Sequence, residues 1–215
     1  MNRHIIFDLD ETIGFFKQFV FILNIAEATT TPDYDMYFEL FEECFRPHIF
    51  DIFRFILKKR QSKHLKYIIL YTNNKQDFFI QKVIRYMNKK TKAVCFDYII
   101  TFNTKRLHKH KSYEDLLHCV PTLSRHDEML FIDDKAHTYM KHPKVVYFKC
   151  EKYIRQWTRE RIQKTLSSIL TDTTVAQKLN AYVFLEKELP KSIYEGMSKK
   201  MHHTIEIFIY GNALF

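Results

Sequence analysis

Residues 5–12 read Ile5-Ile6-Phe7-Asp8-Leu9-Asp10-Glu11-Thr12, a short apolar run that ends in alternating carboxylates. The length and composition of the run predict a buried strand. Because residues i and i+2 of a strand point to the same side, Asp8 and Asp10 should project together from its carboxyl end. Neighbouring buried acids are costly unless a cation or a reaction uses them. The stretch therefore predicts either a functional site or a solvated acidic turn.

The composition limits the class of protein. A chain of 215 residues with 46% hydrophobic content can bury the core of one domain with an elaboration. It contains no uncharged apolar stretch of about 18 residues, which predicts no membrane span. The net charge of +9 fits acidic partners or a solvated basic surface, and only three glycines argue against glycine-rich nucleotide loops.

The cysteines indicate the compartment. Four widely spaced cysteines, without a Cys-x-x-Cys pair, predict reduced thiols rather than a disulfide framework or a zinc site. This pattern is typical of an intracellular protein of the cytoplasm or nucleus. The cysteines are Cys44, Cys95, Cys119 and Cys150.

Strands and helices alternate along the first two thirds of the chain. Apolar runs at 67–71, 96–102, 129–132 and 145–148 predict four further strands, and helices are predicted at 15–28, 76–88 and 112–119. Alternation of this kind indicates an α/β fold, with a parallel sheet between helices. Functional groups of such folds gather at the carboxyl ends of the strands. The polar residues at those ends are Asp8, Asp10, Thr72, Asp133 and Asp134.

Residues 15–45 predict a helical insert after the first strand. Thr31 is the expected N-cap of its second helix, with Pro32 at the first helical position. The acids of the insert should form a face near the entrance of the site, where they would repel nucleic-acid backbones. These acids are Asp33, Asp35, Glu39, Glu42 and Glu43.

The sequence divides into residues 1–150, which carry the strands, and residues 151–215, which predict a mostly helical tail packed on them. A basic amphipathic helix is predicted over 153–170, and residues 171–174 should cap another. Residues 191–200 are polar, and residues 204–210 alternate loosely between apolar and polar.

The residue types at the strand ends suit phosphoryl transfer, which requires alignment and charge neutralisation. A nucleophilic carboxylate can split hydrolysis into two steps, and a second carboxyl can move the protons. Mg²⁺ prefers oxygen ligands, which the carboxylates of the pair Asp133-Asp134 could supply. A hydroxyl, here Thr72, and a lysine of the loop 105–111 would bind the other phosphoryl oxygens.

Together these motifs resemble the haloacid dehalogenase superfamily, and within it the phosphatases that act on the C-terminal repeat domain of RNA polymerase II (the NLI-interacting-factor-like family). The matching motifs are residues 8–12, Arg46-Pro47 and Tyr71-Thr72. The Asn-Asn pair after Thr72 and the helical insert are similar to versions found in large DNA viruses, which work inside the host cell. The resemblance covers residues 4 to about 150 and implies a three-layer fold around a parallel sheet.

The resemblance also implies roles for individual residues. Asp8 would be the nucleophile and a metal ligand, and Asp10 the general acid and base, which also lends its backbone carbonyl to Mg²⁺. Thr72 would bind a phosphoryl oxygen, and Asp134 would be a metal ligand. Asp133 would orient the lysine or a metal-bound water.

The phosphate-binding lysine should precede a helix, as Lys111 does, while Lys105 and Lys109 remain alternatives. Thr12 and Asn73 are expected to support the site.

The resulting prediction is a magnesium-dependent phosphatase with an aspartyl-phosphate intermediate, acting on phosphoserine or phosphothreonine of a protein or peptide. The same chemistry on a small metabolite or a nucleic-acid end is an alternative, although nucleic acid is the less favoured substrate. A non-catalytic phosphate-binding scaffold is a further alternative, but it would have no need of both a nucleophile and an acid. No membrane partner is expected, and the sequence carries no signal for an oligomeric state.

Overall fold

The computed structural model describes residues 2–28, 31–170, 179 and 187–211. Its centre is a sheet of five parallel strands in the order β3-β2-β1-β4-β5. Phe7 pairs with Leu70 and with Ile132, so the three central strands end at the same edge. This confirms the predicted α/β class with a parallel sheet. The strands are β1 (Arg3–Phe7), β2 (Tyr67–Tyr71), β3 (Tyr98–Ile100), β4 (Glu128–Asp133) and β5 (Val145–Lys149).

Helices cover both faces of the sheet and make a three-layer fold. Ile5 and Phe7 of β1 pack into the larger core, whereas Ile6 points to a smaller core on the opposite face. The helices are α1 (Lys17–Glu27), α2 (Tyr34–Leu40), α3 (Ile49–Gln61), α4 (Asp77–Thr91), α5 (Tyr113–Cys119), α6 (Arg159–Ser167) and α7 (Lys191–Tyr210). The larger core contains residues of every helix except α5, and the smaller core contains α5.

The insert is helical, as predicted, and is held by aromatic packing. Phe19 of α1 stacks on Phe38 of α2 at 4.5 Å between ring centroids, and Phe38 stacks on Tyr86 of α4 at 4.8 Å. The predicted cap of α2 is wrong. Asp33, not Thr31, is the N-cap, because its carboxylate accepts hydrogen bonds from the backbone N–H groups of Asp35 and Met36.

The acidic face of the insert does not lie at the entrance of the site, so that expectation is wrong. Basic residues near the end of α4 attract these acids: Lys90 lies 3.0 Å from Glu42, and Lys89 lies 3.5 Å from Asp35. Glu43 pairs with Arg161 of α6 at 2.8 Å. The acids therefore attach the insert to its neighbours.

The tail differs from its prediction in two places. Residues 151–158 are not helical, and the helix predicted from 153 begins only at Arg159. One reason is Gln18, whose buried side chain accepts a hydrogen bond from the Trp157 N–H at 2.7 Å and donates one to its carbonyl at 3.0 Å. An extended segment satisfies both bonds.

Further along the tail, residues 191–210 form the single continuous helix α7 rather than two segments of different character. The cap predicted at 171–174 lies outside the described residues. In the part of the chain that the structure describes, no helix combines the length and the apolar character that a membrane crossing requires.

Candidate active site

A cleft of about 690 Å³ opens at the edge where β1, β2 and β4 end. Its position follows from the parallel sheet, because the loops that leave the strands meet there. Most of the predicted site residues line it: Asp8, Asp10, Thr72, Asn73, Lys111 and Asp133. Thr12 and Asp134 are buried beside it and hydrogen-bond to each other.

Lys111 lies at the centre of the site. Its side chain is only 2% exposed, and its ammonium donates hydrogen bonds to Asp8 and, at 2.7 Å, to Asp133. Lys111 immediately precedes Ser112, the N-cap of α5, so the start of this helix fixes its position. The alternatives Lys105 and Lys109 are exposed and do not line the cleft.

The two carboxyls that Lys111 joins have opposite pKa shifts. Burial raises the pKa of Asp8 to about 7, and the Asp133 carboxylate adds to the rise, although Lys111 opposes it. Burial acts on Asp133 too, but hydrogen bonds from His137 and Lys111 hold its pKa below the ordinary value. Asp133 is therefore the partner that ionises at lower pH, and Asp8 is the one that holds its proton to higher pH.

Asp10 is held by Asn74. The Asn74 side-chain amide donates to the Asp10 carboxylate at 3.0 Å, and the Asn74 backbone N–H donates to the Thr72 hydroxyl at 3.1 Å. Burial raises the pKa of Asp10, against the opposing hydrogen bond from Asn74. Asn74 was part of the predicted motif without a role of its own, although its spacing from Thr72 places it in the same turn.

Asp134 and Thr12 connect the loops after β4 and β1. The Asp134 N–H donates to the Thr12 hydroxyl at 3.0 Å, and the same hydroxyl lies 3.5 Å from the Asp134 carboxylate. Burial raises the pKa of Asp134, and the neighbouring Asp133 carboxylate adds to the effect. Thr12 thus orients Asp134 toward the cleft.

Three carboxylates could share one metal ion. Asp8, Asp133 and Asp134 each offer an oxygen, and these oxygens lie within 4.8 Å of one another. A set of hard oxygen donors suits a cation such as Mg²⁺. Burial raises the pKa values of Asp8 and Asp134 although a lysine lies near each of them, and a bound cation would favour their ionised forms. The cluster contains Asp133 in addition to the predicted ligands Asp8 and Asp134. The predicted ligand atom of Asp10 is its backbone carbonyl, and the hydrogen bond from Asn74 involves only its carboxylate.

Arg46 holds the loop that follows β1. Its guanidinium is 1% exposed and donates to the carbonyls of Thr12 at 2.6 Å, Glu11 at 2.8 Å and Glu151 at 2.7 Å. Glu11 has a φ of 66°, in the left-handed region that non-glycine residues rarely adopt. The bonds from Arg46 help to keep this loop in its strained conformation. From the sequence, Arg46 was recognised only as part of the motif Arg46-Pro47, without this role.

The insert provides an apolar wall of the cleft. Phe15, Phe16 and Val20 line it together with Phe79 of α4. Gly14 makes this approach possible, because a Cβ there would lie 2.5 Å from the Phe16 ring and 2.7 Å from the Cys44 carbonyl. A substrate in this cleft would contact charged groups on one side and aromatic rings on the other.

The basic loop before Lys111 is anchored by Arg106. Its guanidinium donates to the Asp115 carboxylate at 2.7 Å and to the Asn73 side chain at 2.8 Å. Asp115 also accepts a hydrogen bond from the Tyr71 hydroxyl at 3.0 Å. Asn73 therefore connects β2 to the loop that positions Lys111.

Comparisons with known proteins return no relatives. No family model matches the chain, and neither a curated protein nor a solved structure matches it.

Proposed function

We propose that the protein is a magnesium-dependent phosphatase that works through an aspartyl-phosphate intermediate on phosphoserine or phosphothreonine of intracellular proteins, in the cytoplasm or nucleus. The observation that carries the proposal is the contact of one buried lysine, Lys111, with both Asp8 and Asp133, in a cleft that also contains Asp10. This set supplies a nucleophile, a proton carrier and a fixed cation together.

Asp8 is the nucleophile. One of its carboxylate oxygens forms a bond to phosphorus while the bond from phosphorus to the serine or threonine oxygen breaks. Asp10 gives its proton to the leaving oxygen, and its raised pKa supports this role because burial makes the carboxyl hold its proton to higher pH than an exposed aspartate does. Water then attacks the phosphoaspartate, Asp10 takes a proton from that water, and inorganic phosphate leaves.

The remaining residues stabilise charge. Lys111 favours the ionised form of Asp8 against the effect of burial and neutralises phosphoryl oxygens, and the Thr72 hydroxyl donates to one of them. Asp8, Asp133 and Asp134 are the carboxylates that would hold Mg²⁺. When bound, Mg²⁺ supplies positive charge to the phosphoryl group and lowers the pKa values of its carboxyl ligands.

The shape of the insert favours a polymeric substrate. Its contribution to the cleft comes from the start of the insert, residues 15–17 and Val20. The acids of its later part pair with α4 and α6 and do not line the cleft. A cleft to which only the start of the insert contributes can accept a segment of a protein chain, whereas phosphatases of small metabolites enclose their substrates.

The test is the turnover of an aryl phosphate and of a panel of phosphoserine and phosphothreonine peptides. We expect hydrolysis of both with Mg²⁺ and none in excess chelator. Absence of turnover with Mg²⁺, or full turnover with chelator, would contradict the proposal.

A matched pair of lysine variants sharpens this test. Lys111→Met should lower kcat/KM by about 10²–10³-fold, since it removes the cation beside the reacting atoms. Lys109→Met removes the same charge from the exposed part of the loop and should leave kcat/KM within about twofold. Thermal unfolding of both variants separates loss of chemistry from loss of fold.

A further inference from the structure

The structure contains a second cavity, of about 490 Å³, and among the described residues none lines both this cavity and the cleft. Its walls come from the insert, the start of α3, the segment after β5 and the start of α7. A volume of this size is typical of small-molecule sites. The side chains of its aromatic wall are Phe45, Phe50, Tyr153 and Tyr194. The second cavity can therefore hold a ligand with an aromatic body.

Arg46 lines the second cavity and has a nitrogen that its own contacts do not use. Its Nε and Nη2 donate to three backbone carbonyls, as described above, whereas its Nη1 is buried and has no hydrogen-bond acceptor. Burial lowers the pKa of the guanidinium, because its acceptors are neutral carbonyls and the Asp134 carboxylate opposes the shift only weakly. A buried cation with this surplus of donors favours an anion beside it.

Arg155 adds a second unsatisfied donor to the same cavity. Its Nη1 donates to Glu188 at 2.8 Å, but its Nε is buried and has no acceptor. Buried donors without acceptors are rare, because each has lost its hydrogen bonds to water without replacing them. Two such donors on residues that line one cavity favour a ligand with acceptor atoms.

The acids around the second cavity do not neutralise Arg46, because each of them lies beside another cation. The four described acids that line it and their partners are Glu42 with Lys90 at 3.0 Å, Glu43 with Arg161 at 2.8 Å, Glu188 with Arg155 at 2.8 Å and Glu195 with Lys191 at 3.4 Å. These pairs balance one another in charge. The charge of Arg46 comes in addition to them, so the second cavity favours a negative ligand over a positive one.

Two helices also begin at the second cavity. His48, the N-cap of α3, and Lys191, the first residue of α7, both line it. Neither helix start has a side-chain cap, and the helices are 13 and 20 residues long. The N–H groups of a helix start favour negative charge. Both starts therefore act in the same direction as Arg46.

We propose that the second cavity binds a small aromatic carboxylate, whose charged end lies at Arg46 and Arg155 and whose ring packs on the aromatic wall. This inference does not depend on the proposed phosphatase activity. The ligand would contact the same guanidinium that holds the carbonyls of Glu11 and Thr12. The second cavity is thus connected, through one side chain, to the loop after β1.

The experiment titrates the full chain with three fluorescent probes that share one ring system: 2-naphthoate, the neutral 2-naphthamide and the cationic 2-naphthylmethylammonium. We expect 2-naphthoate to bind about tenfold more tightly than the amide at low salt, with a smaller ratio at high salt, and the ammonium to bind most weakly. Equal binding of the acid and the amide, or tighter binding of the ammonium, overturns the proposal.

Acetate separates the charge from the ring. It carries the carboxylate without the aromatic body, so we expect it to compete about 10²-fold more weakly than 2-naphthoate does with itself. Competition at equal concentration would overturn the aromatic part of the proposal. The ratio of the dissociation constants of amide and acid, measured within one variant, cancels differences in folded fraction.

Matched variants assign the charged end. Arg46→Lys keeps a positive charge but has three donors, as many as the carbonyls that Arg46 binds, so the ratio should fall about threefold. Arg155→Lys keeps a cation beside Glu188 but removes the buried Nε, and it should also lower the ratio; it decides the question if Arg46→Lys does not fold. Lys199→Met, at an exposed position of α7, should leave the ratio unchanged. An unchanged ratio in both arginine variants overturns the proposal.

A second pair locates the ring. Phe50→Ala removes part of the aromatic wall and should weaken 2-naphthoate and 2-naphthamide alike, by about fivefold, with their ratio unchanged. Phe78→Ala removes a phenylalanine of α4 that is exposed and does not line the second cavity, and should weaken neither probe. Equal effects of the two variants would overturn the assignment of the ring to this wall.

The remaining control excludes the cleft as the place where the probes bind. Lys111→Met removes the buried cation of the candidate active site and should leave the affinity for 2-naphthoate unchanged, because Lys111 does not line the second cavity. Loss of binding in this variant would place the probe in the cleft and overturn the proposal. These titrations need no turnover, so they keep their meaning whether or not the protein hydrolyses phosphate esters.

Discussion

Buried aspartates lie at both ends of the neighbouring strands β1 and β4, and their pKa values are shifted in opposite directions: Asp127 at the amino end, and Asp8 and Asp134 at the carboxyl end. At the amino end, Asp127 accepts hydrogen bonds from Ser124 and Asn2 backbone N–H groups at 3.0 Å and from His4 at 3.1 Å. Although burial raises its pKa, these bonds hold the pKa below the ordinary value. At the carboxyl end, burial raises the pKa values of Asp8 and Asp134.

The opposite pKa shifts come from the hydrogen-bond donors available to each carboxylate, not from how deeply it is buried. Asp127 has donors for both oxygens, so its charge stabilises the fold. Asp8 shares one lysine with Asp133, so its charge destabilises the fold until a cation binds. Perturbed carboxyls of the second kind are typical of functional sites. Substitutions at the carboxyl end should therefore affect activity, and substitutions at the amino end should affect stability.

The largest effect should come from Asp8→Asn, which removes the nucleophile. We expect turnover of aryl phosphate to fall by about 10³-fold or more. Because the folded pKa of Asp8 is raised to about 7, stability falls as pH rises toward 7 and the carboxyl ionises. The variant should therefore melt at or above the wild-type temperature at pH 7.5. Wild-type turnover would refute the assignment.

Asp10→Asn should lower turnover more for substrates with a poor leaving group than for substrates with a good one. A serine alkoxide needs a proton to depart, whereas an activated aryl oxide does not, so loss of the acid should hurt phosphoserine peptides about 10²-fold more than aryl phosphates. Steady-state kcat/KM on both substrates measures the difference. Equal losses would mean that Asp10 only shapes the metal site.

Asp127→Asn tests the other end of the sheet. It removes a charge that is fully hydrogen-bonded, and we expect a loss of about 1–3 kcal/mol in the free energy of unfolding. Activity per folded molecule should stay within about twofold of wild type. Denaturant unfolding gives the free energy of unfolding, and turnover at low temperature gives the activity per folded molecule. A large loss of kcat with normal stability would contradict the assignment of a structural role to the amino end.

Magnesium should stabilise the protein by binding at the carboxyl ends of the strands, and not at their amino ends. At ten times its dissociation constant, Mg²⁺ should add about 1.4 kcal/mol to the free energy of unfolding, a shift of a few degrees in Tm. Asp134→Asn should abolish the shift, while Asp127→Asn should keep it. Calcium should also raise Tm but inhibit turnover, because it takes more ligands at longer distances. A full shift in Asp134→Asn would place the metal elsewhere.

The smallest effect concerns pH at the amino end. Burial lowers the pKa of His4 from 6.5, against the opposing bond to Asp127. The other ring nitrogen, Nδ1, has no hydrogen-bond partner in the described part of the chain, which favours the neutral ring. The unfolded chain therefore binds the proton first, and stability is lost as pH falls below 6.5. His4→Gln should reduce the drop between pH 7.5 and 5.5 by about 1 kcal/mol; an unchanged drop would assign it to other groups.

Local signals predicted the sheet and most of the site. Each strand is an apolar run, and polar residues follow it directly, so Asp8, Thr72 and Asp133 could be placed at one edge from the sequence. Lys111 was preferred because it precedes the helix that Ser112 caps, as the corresponding lysine does in the family that the motifs resemble. These features depend on residues within one turn or one strand of each other.

The rest of the site depends on contacts between distant segments. His137 donates to Asp133 from within a loop, and Glu11 collects lysines from three separate segments. The hydrophobic periodicity of a sequence predicts helices and strands, but it does not predict contacts between residues of such separate segments. The non-helical segment before α6 was missed for the same reason, since the helical pattern of 153–170 competes with the partner that Gln18 provides.

The contacts of Arg46 also determine when, during synthesis of the chain, the loop after β1 can reach its final conformation. A ribosome makes the loop that carries Asp8 and Asp10 before it makes Glu151, whose carbonyl Arg46 also binds. The backbone of Tyr153 donates a further bond to the Glu11 carbonyl at 2.8 Å. The loop with the two acids is thus synthesised before four of the five strands but acquires its final neighbours only after the last of them, β5, has been made.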